Sequence, residues 1–212
     1  MSKFLFSIPV VAACGFASAA MAQDNTVYLL QDNRAAESQG NVLTIDQSGA
    51  SNALLAGDEL GTAPAIQVGD DNSAEITAEG ENVSVLFAQG APNNPAFGNS
   101  ATIGLDGTNL VASLEQLGEG NQGSVFVTGL NNSGTLLQDG IGNEGTLSVD
   151  GVSNTGTLIQ TGNRNVMNLA VDGTNTNVTY EIVGSDFQPV NSGPVVFSNA
   201  GTVSITQTGP TR

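Results

Sequence analysis

Residues 121–173 read NQGSVFVTGLN NSGTLLQDGIG NEGTLSVDGVS NTGTLIQTGNR NVMNLAVDG, a run that breaks into elevens, each opened by Asn. Six residues after each of these (Asn121, Asn132, Asn143, Asn154 and Asn165) stands a position that alternates between apolar and amide: Val127, Gln138, Val149, Gln160, Val171. The true repeat is therefore about 22 residues and holds two similar halves. Self-similarity at a fixed period of this size marks a solenoid or array.

Within one half, side chains alternate with the period of two that a strand imposes. Gly134, Leu136 and Gln138 share one face, and Ser133, Thr135 and Leu137 the other; in the next half the matching inward set is Gly145, Leu147 and Val149. Thr and Val suit strands, Gly with Asn or Asp suits turns, and Asp139-Gly140, Asp150-Gly151 and Asp172-Gly173 read as tight-turn dipeptides. Each repeat is expected to be strand, turn, strand, turn. One such coil cannot bury its apolar face, whereas stacked coils can, so the fold class is all-β, a β-solenoid.

Working outward, amide-type halves place Gln47, Gln67, Gln89 and Gln116 in line with Gln138 and Gln160. Residues 58–65 and the Pro/Asn-rich 91–97 read as insertions. Residues 25–31 keep the six-residue offset as a candidate first half-repeat. Toward the C-terminus the register is expected to decay, with Glu181 where Gln is due. All seven Pro lie outside residues 99–187, as a continuous ladder requires. The organisation is a leader at 1–22, an N-terminal segment at 23–40, repeats at 41–184, and a loop with a terminal strand or cap at 185–212.

Lys3, the apolar run after it, and Ala20-Met21-Ala22 form the pattern of a secretory signal, giving a mature start at Gln23. Pro9 and Gly15 interrupt any membrane helix there; a lipobox-like Val11-Ala12-Ala13-Cys14 is the rival reading. Cys14 is the only cysteine, so the mature chain has no disulfide and no thiolate. It keeps three Arg against 20 acids, a formal charge of −17, and no His or Trp. That balance opposes nucleic acid and anionic lipid. Inward Gln can hydrogen-bond along a stack, as amide ladders do in cross-β structure, and the five Asn can stack at turns. The competing readings are solvated turn-flanking Gln and Asn that merely form turns.

The pattern Gln-x-Gly-x-x-Asn, seen at Gln138…Asn143, Gln116…Asn121, Gln160…Asn165 and Gln47…Asn52, resembles the curlin repeat of bacterial curli subunits. The resemblance spans residues 41–184. It implies export through a dedicated outer-membrane pore and assembly into extracellular amyloid fibres of a biofilm matrix. It also implies a nucleator or major subunit as partner, and no cofactor. The chain departs from the family at Val127, Val149 and Val171, which replace a second Gln, and in its Asn-opened strands and acidity.

Two other chemistries fit less well. The Asp-Gly turns, at Asp106, Asp139, Asp150 and Asp172, resemble Ca²⁺-binding β-roll repeats but lack the GGxGxD nonapeptide. A β-helix glycosidase needs paired carboxylates at a groove, and the acids here are scattered. The expectation is a non-enzymatic fibre subunit; the alternative is a monomeric β-solenoid adhesin or ligand-binding surface protein.

Overall fold

The computed structural model describes residues 25–34, 40–188, 195–198 and 200–209. The expected leader, Cys14 and the irregular residues 35–39 lie outside the described residues, as does most of the C-terminal loop. Among the described residues the chain is all-β, with strands joined in one 16-stranded sheet. Every pairing between these strands is parallel.

The pairing follows the sequence repeat. Ser133–Ile141 lies between 111–119 of the strand Ser100–Glu119 and Thr155–Thr161, with Gln116, Gln138 and Gln160 in one column. Glu144–Val149 lies between Gln122–Leu130 and Val166–Gly173, with Val127, Val149 and Val171 in another. The sheet thus contains two runs of in-register strands, one for each half of the repeat. The amide run begins at Thr26–Val27 and Leu29–Asp32 and ends at Gly201–Thr208. The apolar run begins at Val42–Ser51 and ends at Val195–Ser198.

The inward sides of the two runs make the core. Leu114, Leu136 and Leu158 from one, and Leu147 and Leu169 from the other, are all buried, each contributing about 1.5–3 kcal/mol. The runs sit so close that only glycine fits at several inward positions. A Cβ on Gly134 would stand 2.8 Å from Val127 Cγ2, and one on Gly145 would stand 2.6 Å from Gln160 Oε1.

The Asp-Gly dipeptides close no antiparallel hairpins; they form the corners between runs. At Gly118, Gly140 and Gly162 φ lies between 93° and 134°. The carbonyl of the next glycine in the column stands where a Cβ would go, so an L side chain is excluded both by conformation and by space.

Insertions leave the stack from its outer side. Between Leu54–Ala56 and Ala65–Asp70 the chain departs at Gly57 and returns at Pro64, yet Val27↔Leu55 and Leu29↔Ala65 stay in register. The Pro/Asn segment closes on an Ala91–Asn94 bridge and returns as Ala96–Phe97, paired with Ala65–Asp70. Nor does the register decay at Glu181. Ile182 faces Gln160 in the column while Glu181 faces Ile159, so the amide position is taken by a buried isoleucine. Counting 22 from Gln160 reaches Ile182; a count of six from Asn175 reaches Glu181 instead because Thr176, not Asn175, stands in line with Asn154.

Candidate functional site

The inward amides form a continuous hydrogen-bonded column. Gln31 Nε2 donates to Gln67 Oε1 at 2.6 Å, and Gln67 to Gln89, Gln89 to Gln116, Gln116 to Gln138 and Gln138 to Gln160, each at 2.8 Å. Gln67 through Gln160 are fully buried. All five bonds point the same way, toward the C-terminal end, so the amide dipoles align and reinforce one another.

From Gln67 onward each amide also donates an N–H to the opposite run, Gln67 to the Val42 carbonyl at 3.1 Å. Gln89 donates to the Ser73 carbonyl, Gln116 to Ser100, Gln138 to Gln122 and Gln160 to Glu144, at 2.9–3.0 Å. The carbonyls of Asn121, Asn143 and Asn165 accept from the same nitrogens at 3.1–3.2 Å. The ladder is therefore a stitch between the runs as well as along the stack. Buried amides satisfied on every side add stability, whereas an orphaned one costs about 1–3 kcal/mol.

The asparagines form separate columns at the corners. Asn121 Oδ1 accepts the backbone N–H of Asn143, and Asn143 Oδ1 that of Asn165, both at 3.0 Å. Their Nδ2 groups donate to Gly140, Gly162 and Gly184 carbonyls. This column runs back through Asn99 and Asn72 to Asn41. Asn132 and Asn154 belong to the other corner, where Asn132 Oδ1 accepts from Asn154 N at 2.8 Å and Asn154 Oδ1 from Thr176 N at 3.0 Å. There the column stops toward the N-terminus, because Leu110 and Val83 occupy the equivalent buried positions. The preceding residues Asn52, Asn82, Asn109 and Asn131 instead make an exposed chain of amide bonds, all with positive φ. That is why Asn82 stands seven residues before Gln89 rather than six.

Gln47 does not belong to the amide column. It lies on Val42–Ser51, in the apolar run, where Asp46 pairs with Thr77 and Gly49 with Glu79, so Gln47 and Ser48 together oppose Ala78. The column it faces continues as Leu105, Val127, Val149 and Val171, which offer no side-chain acceptor, and its Nε2 is buried without a partner. The motif Gln-x-Gly-x-x-Asn was satisfied locally while the strand's neighbours were of the other half. The ladder's first member is Gln31, and the six-residue offset from Asn25 was the signal for it.

Charge sits outside these columns. Arg164 pairs with Asp186, 22 residues on, at 2.7 Å, and that contact raises the guanidinium pKa. Asp58 is held below the usual carboxylate range by the Thr62 hydroxyl, which donates to it within the 57–64 loop. Asp46 is likewise lowered, by hydrogen bonds from Ser48. Burial raises the Tyr180 phenol. Among the described residues no group of three His, Cys, Asp or Glu could hold a metal. No family model, no curated protein and no solved structure matches the chain.

Proposed function

We propose that the chain is a β-solenoid of 22-residue coils, a secreted structural subunit that self-assembles into curli-like amyloid fibres of a biofilm matrix. The observation carrying this reading is the one-directional amide column from Gln31 to Gln160, repeated at one residue per coil. Such a column is the side-chain arrangement of cross-β fibres folded into one chain. Its repeat motif is the one that resembles the curlin family. From that resemblance come the partners: further copies of the chain, a curli nucleator or major subunit, and an outer-membrane export pore. Fibres of this kind would mediate adhesion and aggregation at the cell surface.

The test is incubation of the purified protein, followed by fibre diffraction and amyloid-dye fluorescence. The expected outcome is dye-positive fibres with a meridional reflection at about 4.7–4.8 Å. A protein that remains monomeric and dye-negative at high concentration would support the adhesin reading instead.

A further inference from the structure

Among the described residues, both ends of the amide run are strand edges with a pairing partner on one side. Thr26–Val27 and Leu29–Asp32 pair, among the described residues, only inward, with Leu54–Ala56 and Ala65–Asp70, and Gly201–Thr208 only with Thr176–Val183. Unpaired edges of this kind template the addition of another strand.

The residues on the two edges match column by column. Val203 stands in the column of Val178, Gly156 and Gly134, which reaches Val27 through Ala112, Val85 and Leu55. Two residues on, Ile205 shares the column of Leu29. Two further, Gln207 follows Ile182 in the amide column that starts at Gln31. The polarity matches as well. Gln31 gives its Nε2 to Gln67 and keeps Oε1 as an acceptor. Gln207 Oε1 accepts the Tyr180 hydroxyl at 2.9 Å, so what its exposed side chain still offers is N–H donors. The outward positions fit in charge. Gly201–Thr208 contains no acid, and Thr208 would face Asp32, which Arg34 already neutralises at 2.8 Å. Val27 and Leu30, 37% and 41% exposed, supply apolar surface that such a neighbour would cover.

We propose that the two ends form one head-to-tail junction between copies of this chain, Gly201–Thr208 of one lying in register on Thr26–Asp32 of the next. In it Gln207 donates to Gln31 and the amide ladder resumes in the next copy. This rests on the fibre reading and specifies its growth interface, its register and its polarity.

Disulfide trapping tests the register. In-register parallel strands put facing Cα atoms about 4.7–4.9 Å apart, inside the usual disulfide span of about 4.4–6.8 Å. The test chain carries Cys14→Ser, so the introduced thiols are the only ones, with Leu30→Cys and Thr206→Cys, both exposed. A second chain carries Leu30→Cys and Ser204→Cys, displaced by two residues and beyond disulfide reach. Oxidised fibres of the first are expected to run as a ladder of covalent multimers on a denaturing gel, and those of the second as monomer. If the double variant assembles poorly, differently tagged Leu30→Cys and Thr206→Cys chains are mixed, and the heterodimer is scored. Fibres that form with no cross-link, or with equal cross-linking in both registers, overturn the junction while leaving the fibre reading intact. Absence of any assembly by the unmodified protein removes both. A cross-link blocked by a bound different protein, with the unmodified chain still monomeric, also overturns the second copy as the occupant of this edge.

Discussion

The centre of the molecule and its N-terminal third obey the same repeat with different strictness. From Asn99 to Gln160 the strands stay in phase with no insertion, and Gln116, Gln138 and Gln160 recur at intervals of 22 residues. From Asn25 to Phe97 the same columns survive a loop at 57–64, a second at 91–95 and a bulge at Gln47 and Ser48. The lesson is where tolerance lies. An extra loop that leaves from the outside adds little closure cost, about 0.6 kcal/mol per doubling of length. A misplaced inward residue leaves a buried polar group unanswered, as Gln47 shows.

The sharpest way to break the comparison is at glycine. Gly145→Ala places a Cβ 2.6 Å from Gln160 Oε1, 2.9 Å from Leu136 Cδ1 and 3.0 Å from Gln138 Nε2. Overpacking costs about 1–3 kcal/mol, and displacing the amides adds about 1–3 more. Gly49→Ala in the N-terminal region meets only the Glu79 side chain, nearest at 3.1 Å, which can swing toward solvent. Denaturant midpoints should separate the two variants widely; similar losses would mean that the core between the runs is looser than the distances say.

Glutamine gives the next contrast. Gln138→Ala removes its bonds with Gln116 and Gln160 and its stitches to the Gln122 and Asn143 carbonyls. The loss of stability is expected at about 1–3 kcal/mol, and on the proposed fibre reading a longer assembly lag goes with it. Gln47→Ala deletes an amide whose Nε2 has no partner, so it should be neutral or stabilising. Thr157→Ala, on an outward position in the column of Thr135, should cost within about 0.5 kcal/mol. Equal effects at Gln138 and Gln47 would show that the amides do not act as a ladder.

How far this was legible follows from the same residues. The period, the strand alternation and the phase of Gln67 through Gln160 could be read directly, because local offsets and column membership coincide wherever the chain has no insertion. Column membership is a long-range property, however. Gln47 has the right motif and the wrong neighbours, since it lies one half-repeat before Gln67 rather than the full repeat that a spacing of 20 suggests, the 57–64 loop making up the difference. Ile182 was hidden by an adjacent Asn-Thr pair that shifts the apparent start by one residue. The split of the asparagines into two corner columns was not visible either, because both kinds open an eleven-residue unit identically.

Asparagine tests that split at a smaller scale. Asn143→Ala deletes a buried side chain that accepts from Asn165 N and donates to Gly162 O, orphaning backbone groups at a cost of about 1–3 kcal/mol. Asn109→Ala deletes one exposed link between Asn82 and Asn131. Water can replace those bonds, though φ of 56° also favours Asn there. Asn109→Gly, which keeps the backbone free, should lie near wild type in thermal unfolding while Asn143→Gly should not. If the two glycine variants melt together, the corner columns are equivalent in energy and burial does not distinguish them.

The smallest effect is a matter of pH and separates the insertion from the stack. Asp58 holds the 57–64 loop by accepting from the Thr62 hydroxyl, and from Thr62 N at 2.7 Å and Ala63 N at 3.1 Å. The Thr62 hydroxyl is the main cause that depresses its pKa in the folded state. A depressed carboxylate stabilises the fold above its unfolded value, about 3.9, and that contribution is lost as pH falls through the lower folded value. The loop should therefore stay closed down to about pH 4 and open only below it. The amide column contains no titrating group, so Gln138 and its neighbours should be indifferent over the same range. Hydrogen exchange measured from pH 7 to pH 3, corrected for intrinsic rates, should show Thr62 and Ala63 losing protection in that last interval while Gln138 keeps it. Asp58→Asn should flatten the loop's profile. Loss of loop protection already between pH 6 and 5 would mean that the carboxylate is not held by these donors. Joint loss at Thr62 and Gln138 would mean that the insertion and the stack open as one unit, and that the outward loops are less separable from the columns than their geometry requires.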